Sequence, residues 1–278
     1  MISDLLRRWK QSRRISRAEA EISSRKIQGA PHGLAGRLII SLTSYPARFA
    51  SLHLVLQSLL SQSVKADEVV LWLDAGDEAQ MTPQMKALVA SGALRVAICP
   101  RWRSYKKLVP MLLEAPQAYI VTADDDVYYG ADWLAGLVSK ADAGVVCHRG
   151  HRITLSDAGQ PRSYEEWQRN LAQPECGRLI FPTGVGGVLY APGVFHDDVC
   201  NFDMFQQLAP SADDVWFYWM HRLAGSNPCK IGGRFRITEW PGTQQQNLRS
   251  GNLAGASSAE SGNDRALRAL LDKYGFPS

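Results

Sequence analysis

The sequence of 278 residues predicts an α/β fold in which a mostly parallel sheet is flanked by helices. Between residues 37 and 123, short aliphatic runs alternate with segments whose apolar positions recur at helical spacing. These runs also end in clusters of polar residues, and the carboxyl ends of parallel strands are where such folds bind ligands. A hydrophobic content of 45% is enough for one large core.

The first half of this pattern begins with one βαβ unit. Residues 38–42 predict a strand, and residues 69–73 predict a second one. Between them, one face of a helix is predicted by Phe49, Leu52, Leu56, Leu59 and Leu60. A short helix at 85–89, a strand at 94–98, a helix at 105–113 that includes Pro110, and a strand at 119–122 follow. The polar residues after these strands are therefore expected to converge on one cleft.

Beyond Gly130 the alternation weakens. We predict a helix at 132–140, a strand at 145–147, an irregular stretch at 151–178, and a sharp glycine bend leading into a strand within 181–190. A helix from 215 to 220, a strand at 231–237, a polar loop at 243–261, and a helix at 264–274 complete the chain. The last helix is predicted to be capped by Asn263 and ended by Gly275.

Residues 1–36 predict a basic amphipathic arm that ends in a hinge at 29–36. Residues 1–28 carry a net charge of +5, whereas the rest of the chain carries −1. A nearly neutral body argues against nucleic acid as a partner. The arm is suited to an anionic membrane surface, with Trp9 at the level of the headgroups, or it packs on its own domain or on a partner.

The sequence also bears on compartment and redox state. No apolar run approaches the roughly 20 residues that a membrane-spanning helix needs, so we expect a cytoplasmic protein. If the arm binds lipid, the protein would be peripheral on the inner face of the membrane. Five cysteines, an odd number without a Cys-x-x-Cys spacing, favour reduced thiols over a disulfide framework or a zinc site.

The stretch 119–129 is the centre of the predicted site. An apolar run ends there in the acidic triplet Asp124, Asp125 and Asp126, of which the first and third point to the same side of an extended backbone. Such a pair is costly unless a cation neutralises it. Carboxylates without thiolate or imidazole partners favour Mg²⁺ or Mn²⁺, and the alternative is a solvated acidic turn.

Two further sets of side chains are candidates. A basic group near the triplet would assist diphosphate binding, and the candidates, each of which could instead be a solvated surface charge, are Arg48, Arg103, Lys106 and Lys107. The acidic pair, Asp213 and Asp214, begins an aromatic helix. One aspartate suffices as an N-cap, and the other, first Asp214 and otherwise Asp213, is a candidate general base.

Four segments together resemble the nucleotide-binding half of family 2 glycosyltransferases of the GT-A fold. They are residues 39–45 with Arg48, 56–63, 69–74 and 124–126, and the resemblance covers about residues 37–135. It implies a Rossmann-like, nucleotide-sugar half at 37–140 and an acceptor half at 141–278, within one catalytic domain. Two departures are Pro46, where the family has Asn, and a single acid, Asp74, after the second strand.

The resemblance implies a role for each matching position. The donor site would be formed by Thr43, Ser44, Tyr45, Arg48, Asp74, Lys107, Asp124 and Asp125. Asp126 would bind the metal, and Asp124 would bind either the metal or the ribose. The catalytic aspartate would be Asp214, with Asp213 as the alternative. The implied activity is metal-dependent transfer of a sugar from a nucleotide-sugar donor to a hydroxyl of a surface glycan, either a polysaccharide or a lipid-linked acceptor.

Three rival classes fit the sequence less well. A haloacid dehalogenase-type phosphotransferase has its Asp-x-Asp at the first strand, with Thr or Val two residues beyond the second Asp, where this chain has Tyr128. A sugar nucleotidyltransferase needs a glycine-rich loop after the first strand, where this chain has Thr43 to Pro46. A non-catalytic carbohydrate-binding or scaffold module would use its aspartates only as caps.

Overall fold

The computed structural model describes residues 2–25, 29–241, 243 and 261–277. Its helices are α1 (Ile2–Ser24), α2 (Phe49–Leu60), α3 (Pro83–Ala90), α4 (Val109–Glu114), α5 (Trp133–Val138), α6 (Phe202–Leu208), α7 (Asp213–Leu223) and α8 (Gly262–Tyr274). Its strands are β1 (Ala30–Pro31), β2 (Leu38–Thr43), β3 (Val64–Lys65), β4 (Glu68–Leu73), β5 (Arg95–Ile98), β6 (Tyr119–Ala123), β7 (Val145–Cys147), β8 (Gly150–Arg152), β9 (Glu175–Cys176), β10 (Ile180–Pro182), β11 (Val188–Tyr190) and β12 (Cys229–Lys230). The predicted polar loop at 243–261 lies, apart from its two end residues, outside the described residues.

The main sheet has eight strands in the order β5-β4-β2-β6-β11-β7-β12-β9. The first four are parallel, and β11 is antiparallel to both β6 and β7. The predicted α/β fold class is therefore confirmed. The glycine bend at 184–187 delivers β11 to the middle of the sheet, directly beside β6.

Both faces of the parallel half are covered by apolar side chains. Along β2, Ile39 packs into one core cluster, together with Trp72 and Trp216, while Ile40 packs into the other, together with Leu56. Alternation of side chains along a strand sends neighbours to opposite faces. The near-continuous aliphatic run is thus explained by burial on two sides.

The predicted helix at 105–113 is divided in the structure. A short 3-10 helix, Arg103–Lys107, precedes α4, and Pro110 lies in the first turn of α4, where its missing N–H group is not needed. The division leaves Lys106 and Lys107 buried, at 5% and 7% exposure, although lysines are almost never buried without a partner.

Two other local predictions are wrong. Residues 231–237 do not form a strand, because the chain turns at Gly232 (φ +65°) and the Lys230 ammonium donates to the carbonyls of Gly232 and Gly233. The last helix is capped by Ser261, whose Oγ accepts from the Asp264 N–H at 3.1 Å, and not by Asn263. Gly275 ends that helix as predicted.

The expectation of five reduced thiols is also wrong. Cys176 and Cys229 form a disulfide, whereas Cys99, Cys147 and Cys200 are free. The bonded pair is 53 residues apart in the chain, and the antiparallel pairing of β9 with β12 places the two residues opposite each other. Sequence spacing contains no signal for a pair that is brought together only by strand pairing.

The second half of α1 packs on the domain, as one of the two alternatives for the arm predicts. Ala18 and Ile22 are buried in the core, while Trp9 is 54% exposed. After the helix, β1 pairs with β3, and a Cβ at Gly29 would lie 2.7 Å from the Gln62 carbonyl oxygen. None of the described helices is both long and apolar enough to cross a membrane.

Candidate active site

The polar residues that follow three parallel strands lie together at one edge of the sheet. In register, Thr43 of β2 is opposite Trp72 of β4, and Leu42 is opposite Ala123 of β6. The residues after the strand ends therefore become neighbours, and the Ser44 hydroxyl donates to Asp125 at 2.5 Å. The ends of these strands are thus adjacent, and the residues after β2 and β6 are in contact.

The three aspartates of the acidic triplet have different surroundings. Asp125 is 6% exposed and is held by Ser44 and by an ion pair with Arg48. Burial raises the pKa of Asp125, and Arg48 and Ser44 oppose this effect. Because its oxygens face these two partners, Asp125 is arranged as an internal anchor of the loop and Arg48 as its counter-ion.

Asp126 shares the same arginine but is less well compensated. Its Oδ2 lies 3.0 Å from Nη1 of Arg48. Burial, together with the negative charge of Asp124, raises the pKa of Asp126 to about 7, although Arg48 lowers it. The carboxyl group thus lies where an additional cation would be strongly stabilised.

Lys107 joins the acidic triplet to the acidic pair. Its Nζ lies 3.4 Å from Asp124, 3.1 Å from Asp213 and 4.0 Å from Asp214. Burial alone would lower the pKa of Lys107, but the three carboxylates together raise it well above its ordinary value. The ammonium group is therefore charged and compensates both acidic clusters at once.

Neither residue of the acidic pair caps α7, which corrects the expectation that one of them does. The helix begins at Asp213 itself, and its N-cap is Ala212, without a side-chain cap bond. Asp214 instead accepts a hydrogen bond from the Gly184 N–H at 2.9 Å. Burial, followed by the charge of Asp213, raises the pKa of Asp214 to about 7, and Lys107 and this hydrogen bond oppose the rise.

Gly184 is the residue of the glycine bend that allows this contact. A Cβ at this position would lie 2.6 Å from the Lys107 ammonium and 2.7 Å from Oδ1 of Asp214. A side chain would therefore displace one charged group or the other. The sequence predicts the bend but not the need for glycine at position 184, because the atoms that crowd this position belong to Lys107 and Asp214, which are distant in the chain.

The remaining donor-site candidates have defined partners. The Thr43 hydroxyl donates to the Trp72 carbonyl at 2.8 Å, and the Tyr45 hydroxyl accepts from Nε of Arg48 at 3.2 Å. Asp74 accepts from the Lys106 ammonium at 2.7 Å. Arg103, by contrast, is exposed on the surface with a positive φ of 52°.

The oxygen ligands available near the acidic triplet suit a hard divalent cation. Asp124 and Asp126 supply carboxylate oxygens, as Mg²⁺ and Mn²⁺ prefer. Burial first, and then the charge of Asp124, raise the pKa of Asp126, so a bound cation would stabilise its ionised form. Among the described residues, no group of three or more His, Cys, Asp or Glu side chains is arranged as a complete metal site. An ion held by two carboxylates leaves coordination positions for phosphate oxygens.

The acidic loop, residues 124–129, is closed by contacts that the sequence does not reveal. The Asp124 N–H donates to the Tyr129 hydroxyl at 2.7 Å, and the Trp240 N–H donates to the Asp126 carbonyl at 3.0 Å. Tyr129 is fully buried and packs on Trp133, with ring centroids 4.4 Å apart. The aromatic residues after the triplet thus fix the backbone that carries it.

Comparisons with known proteins concern the fold. No protein-family model matches the sequence, and no curated protein matches it. A solved 4-diphosphocytidyl-2C-methyl-D-erythritol synthase is 17% identical, with 81% of this chain and 100% of that chain covered and a TM-score of 0.46. The glucosyl-3-phosphoglycerate synthase of Mycobacterium tuberculosis, solved with Mn²⁺, uridine diphosphate and glucosyl-3-phosphoglycerate, is 13% identical, with 88% and 82% covered and a TM-score of 0.43.

Proposed function

We propose that this protein is a metal-dependent glycosyltransferase that moves a sugar from a nucleotide-sugar donor to a hydroxyl of a glycan acceptor. The observation that carries the proposal is the arrangement of two acidic clusters around the ammonium group of Lys107. One cluster follows the central parallel strand β6, where α/β folds bind nucleotides. The other contains the partly buried carboxyl group of Asp214, whose pKa of about 7 suits a base at neutral pH.

The donor would lie along the ends of β2, β4 and β6. Asp74, between Lys106 and the strand end, would accept hydrogen bonds from the nucleoside, with Thr43 and Tyr45 forming the adjacent wall. Ser44 is buried behind this wall and holds Asp125. Asp124 and Asp126 would hold Mn²⁺ or Mg²⁺, which when bound neutralises the diphosphate. Arg48 and Lys107 keep these carboxylates compensated and in position.

The chemical step needs a base on the acceptor side. The acceptor hydroxyl oxygen would form a bond to the anomeric carbon while the bond from that carbon to the diphosphate oxygen breaks. The proton would move to a carboxylate oxygen of Asp214, and the bonding electron pair would leave with the nucleoside diphosphate. Gly184 holds Asp214 in place through its N–H group.

The proposed donor chemistry is tested with Asp126→Asn. A screen of nucleotide sugars with Mn²⁺ or Mg²⁺ should find a donor that the wild-type protein turns over. A ligand at about 100 times its dissociation constant stabilises a protein by about 2.7 kcal/mol, so metal with nucleoside diphosphate should raise the melting temperature of the wild type. In Asp126→Asn we expect turnover and this stabilisation to be lost together.

The outcomes separate the rival classes. Full activity in Asp126→Asn would remove the metal role of that residue, and a phosphotransferase would hydrolyse or transfer phosphate without moving the sugar. A binding or scaffold module would show no nucleotide-dependent stabilisation beyond that of the metal alone. Asp203→Asn, on the surface of α6, is the matched control for loss of one carboxylate.

For α1 we propose an anionic membrane surface as the partner. Trp9 is exposed, the Arg13 guanidinium lies 4.7 Å from the centre of its ring, and Arg14 and Arg17 are also exposed. Basic residues contribute about 1 kcal/mol each at such a surface. We expect the triple variant Arg13→Glu, Arg14→Glu, Arg17→Glu to bind vesicles that contain an anionic phospholipid about 100-fold more weakly, as measured by co-sedimentation. Equal binding of the wild type to neutral vesicles would contradict this assignment.

A further inference from the structure

The C-terminal end of α1 lies directly against the acidic loop. Nη1 of Arg25 donates to the Tyr129 carbonyl at 3.1 Å, and Nη2 donates to the Tyr128 hydroxyl. The guanidinium carbon also lies 5.3 Å from the centre of the Tyr128 ring. Arg25 therefore contacts both Tyr128 and Tyr129, the two residues at the end of the acidic loop.

Arg25 directly follows α1 and is itself held by that helix. Nη2 of Arg25 lies 2.6 Å from Oε1 of Glu21, one turn earlier. Burial alone would raise the pKa of Glu21, but hydrogen bonds from Arg25 and Tyr128 lower it, so the carboxylate is ionised at neutral pH. With Ala18 and Ile22 buried in the core, this end of α1 forms a rigid support.

A hydrogen-bonded path leads from this support to the first aspartate. Arg25 holds the backbone of Tyr129, and the hydroxyl of the same tyrosine accepts from the Asp124 N–H at 2.7 Å. On the other side of the loop, Val127 pairs with Glu239, whose carbonyl accepts from Nε2 of Gln11 in α1 at 3.3 Å. α1 thus contacts both chain segments that shape the acidic loop.

We propose that Arg25 is a positioning residue of the active site, and that α1 belongs to the donor-binding machinery in addition to serving as an arm. The inference rests on the proposed function for its link to metal and donor binding. Its structural part is independent, since Arg25 fixes the backbone of residues 124–129 whether or not a ligand is present. Groups that contact a metal ligand directly typically affect metal affinity 10–100-fold. Because Tyr129 lies between Arg25 and Asp124, we expect Arg25 to act at the lower end of this range.

The test compares Arg25→Gln and Arg25→Lys with a matched control. Arg37→Gln removes another arginine–glutamate ion pair, with Glu68, at the opposite end of β2. In Arg25→Gln we expect faster hydrogen exchange at residues 124–129 and an affinity for Mn²⁺ with nucleoside diphosphate that is about 10-fold weaker. Arg25→Lys, which keeps the charge and some of the donors, should recover part of both, and Arg37→Gln should change neither.

Each outcome decides a separate point. Unchanged exchange in the acidic loop of Arg25→Gln would overturn the proposal. So would faster exchange with unchanged metal affinity, because Arg25 would then be structural only. If the wild-type protein binds neither metal nor nucleotide, the proposed function fails, and the exchange measurement alone decides whether Arg25 positions the loop. A full-length Arg25→Gln that melts with one transition confirms that the comparison concerns folded protein.

Discussion

Replacing Asp214 with Asn is expected to reduce sugar transfer by about 10²–10⁴-fold while leaving donor affinity unchanged. The amide has the shape of the carboxylate, and its oxygen still accepts from the Gly184 N–H group, so the local backbone is retained. Lys107 also keeps Asp124 and Asp213 as partners. What is lost is the oxygen that takes the proton from the acceptor hydroxyl.

The pH dependence gives this prediction a second, independent measurement. A general base must be ionised, and burial, with the charge of Asp213, raises the pKa of Asp214 to about 7. We therefore expect the wild-type rate to rise with pH through about 7 and then to level off. Because the pKa of Asp126 is also about 7, the rates are compared at saturating metal and donor. Under these conditions the residual rate of Asp214→Asn should lack that rise.

Two comparisons make the result interpretable. Donor binding, measured by the shift in melting temperature with metal and nucleoside diphosphate, should be equal in wild type and Asp214→Asn. Asp213→Asn should retain more activity, because Asp213 mainly pairs with Lys107 at 3.1 Å. Undiminished transfer in Asp214→Asn would remove it as the base, and a larger loss in Asp213→Asn would assign that role to Asp213.

The parallel half of the fold was predictable because its signals are local. Ile39 and Ile40 both had to be apolar, since each strand face is buried, and the acidic triplet stands where β6 leaves the sheet. Because the carboxyl ends of parallel strands lie at the same edge of a sheet, the polar residues after β2, β4 and β6 were expected to be neighbours. None of these steps required knowledge of a contact between distant segments.

The features that could not be predicted from the sequence depend on contacts between distant segments. The sequence predicts that Asp213 or Asp214 caps α7, because aspartates are favoured at helix N-termini. In the structure, Asp213 forms an ion pair with Lys107, and Asp214 accepts a hydrogen bond from the Gly184 N–H group. Likewise, nothing near Arg25 in the chain indicates Tyr128 as its partner. Local propensity indicates which partners a side chain can have, and tertiary packing determines which of them it contacts.

Lys107→Met is expected to lower the free energy of unfolding at pH 8 by about 3–5 kcal/mol. Methionine fills a similar volume, so the loss would come from electrostatics: Asp124, Asp213 and Asp214 would lose their shared cation in a largely buried site. Leaving a buried charge without its partner costs more than the pair contributes when it is intact. Chemical denaturation monitored by tryptophan fluorescence measures this difference.

The sign of the pH effect follows from the same carboxyl groups. Asp214 already has a pKa raised to about 7, above its ordinary value of 3.8, so its favourable contribution is fully present below about pH 4 and is lost as the pH rises through about 7. Without Lys107 the pKa rises further, because the opposing positive charge is gone. The deficit of Lys107→Met should therefore be smaller at pH 5 than at pH 8, since protonation removes the uncompensated charge.

Lys106→Met is the matched control for this experiment. Lys106 is also buried, but it compensates one carboxylate, Asp74, which Arg101 also approaches at 3.8 Å. Its replacement should cost less stability and should depend less on pH between 5 and 8. If the two variants lost equal stability with equal pH dependence, Lys107 would be an ordinary buried ion pair, and the electrostatic link between the acidic triplet and the acidic pair would be wrong.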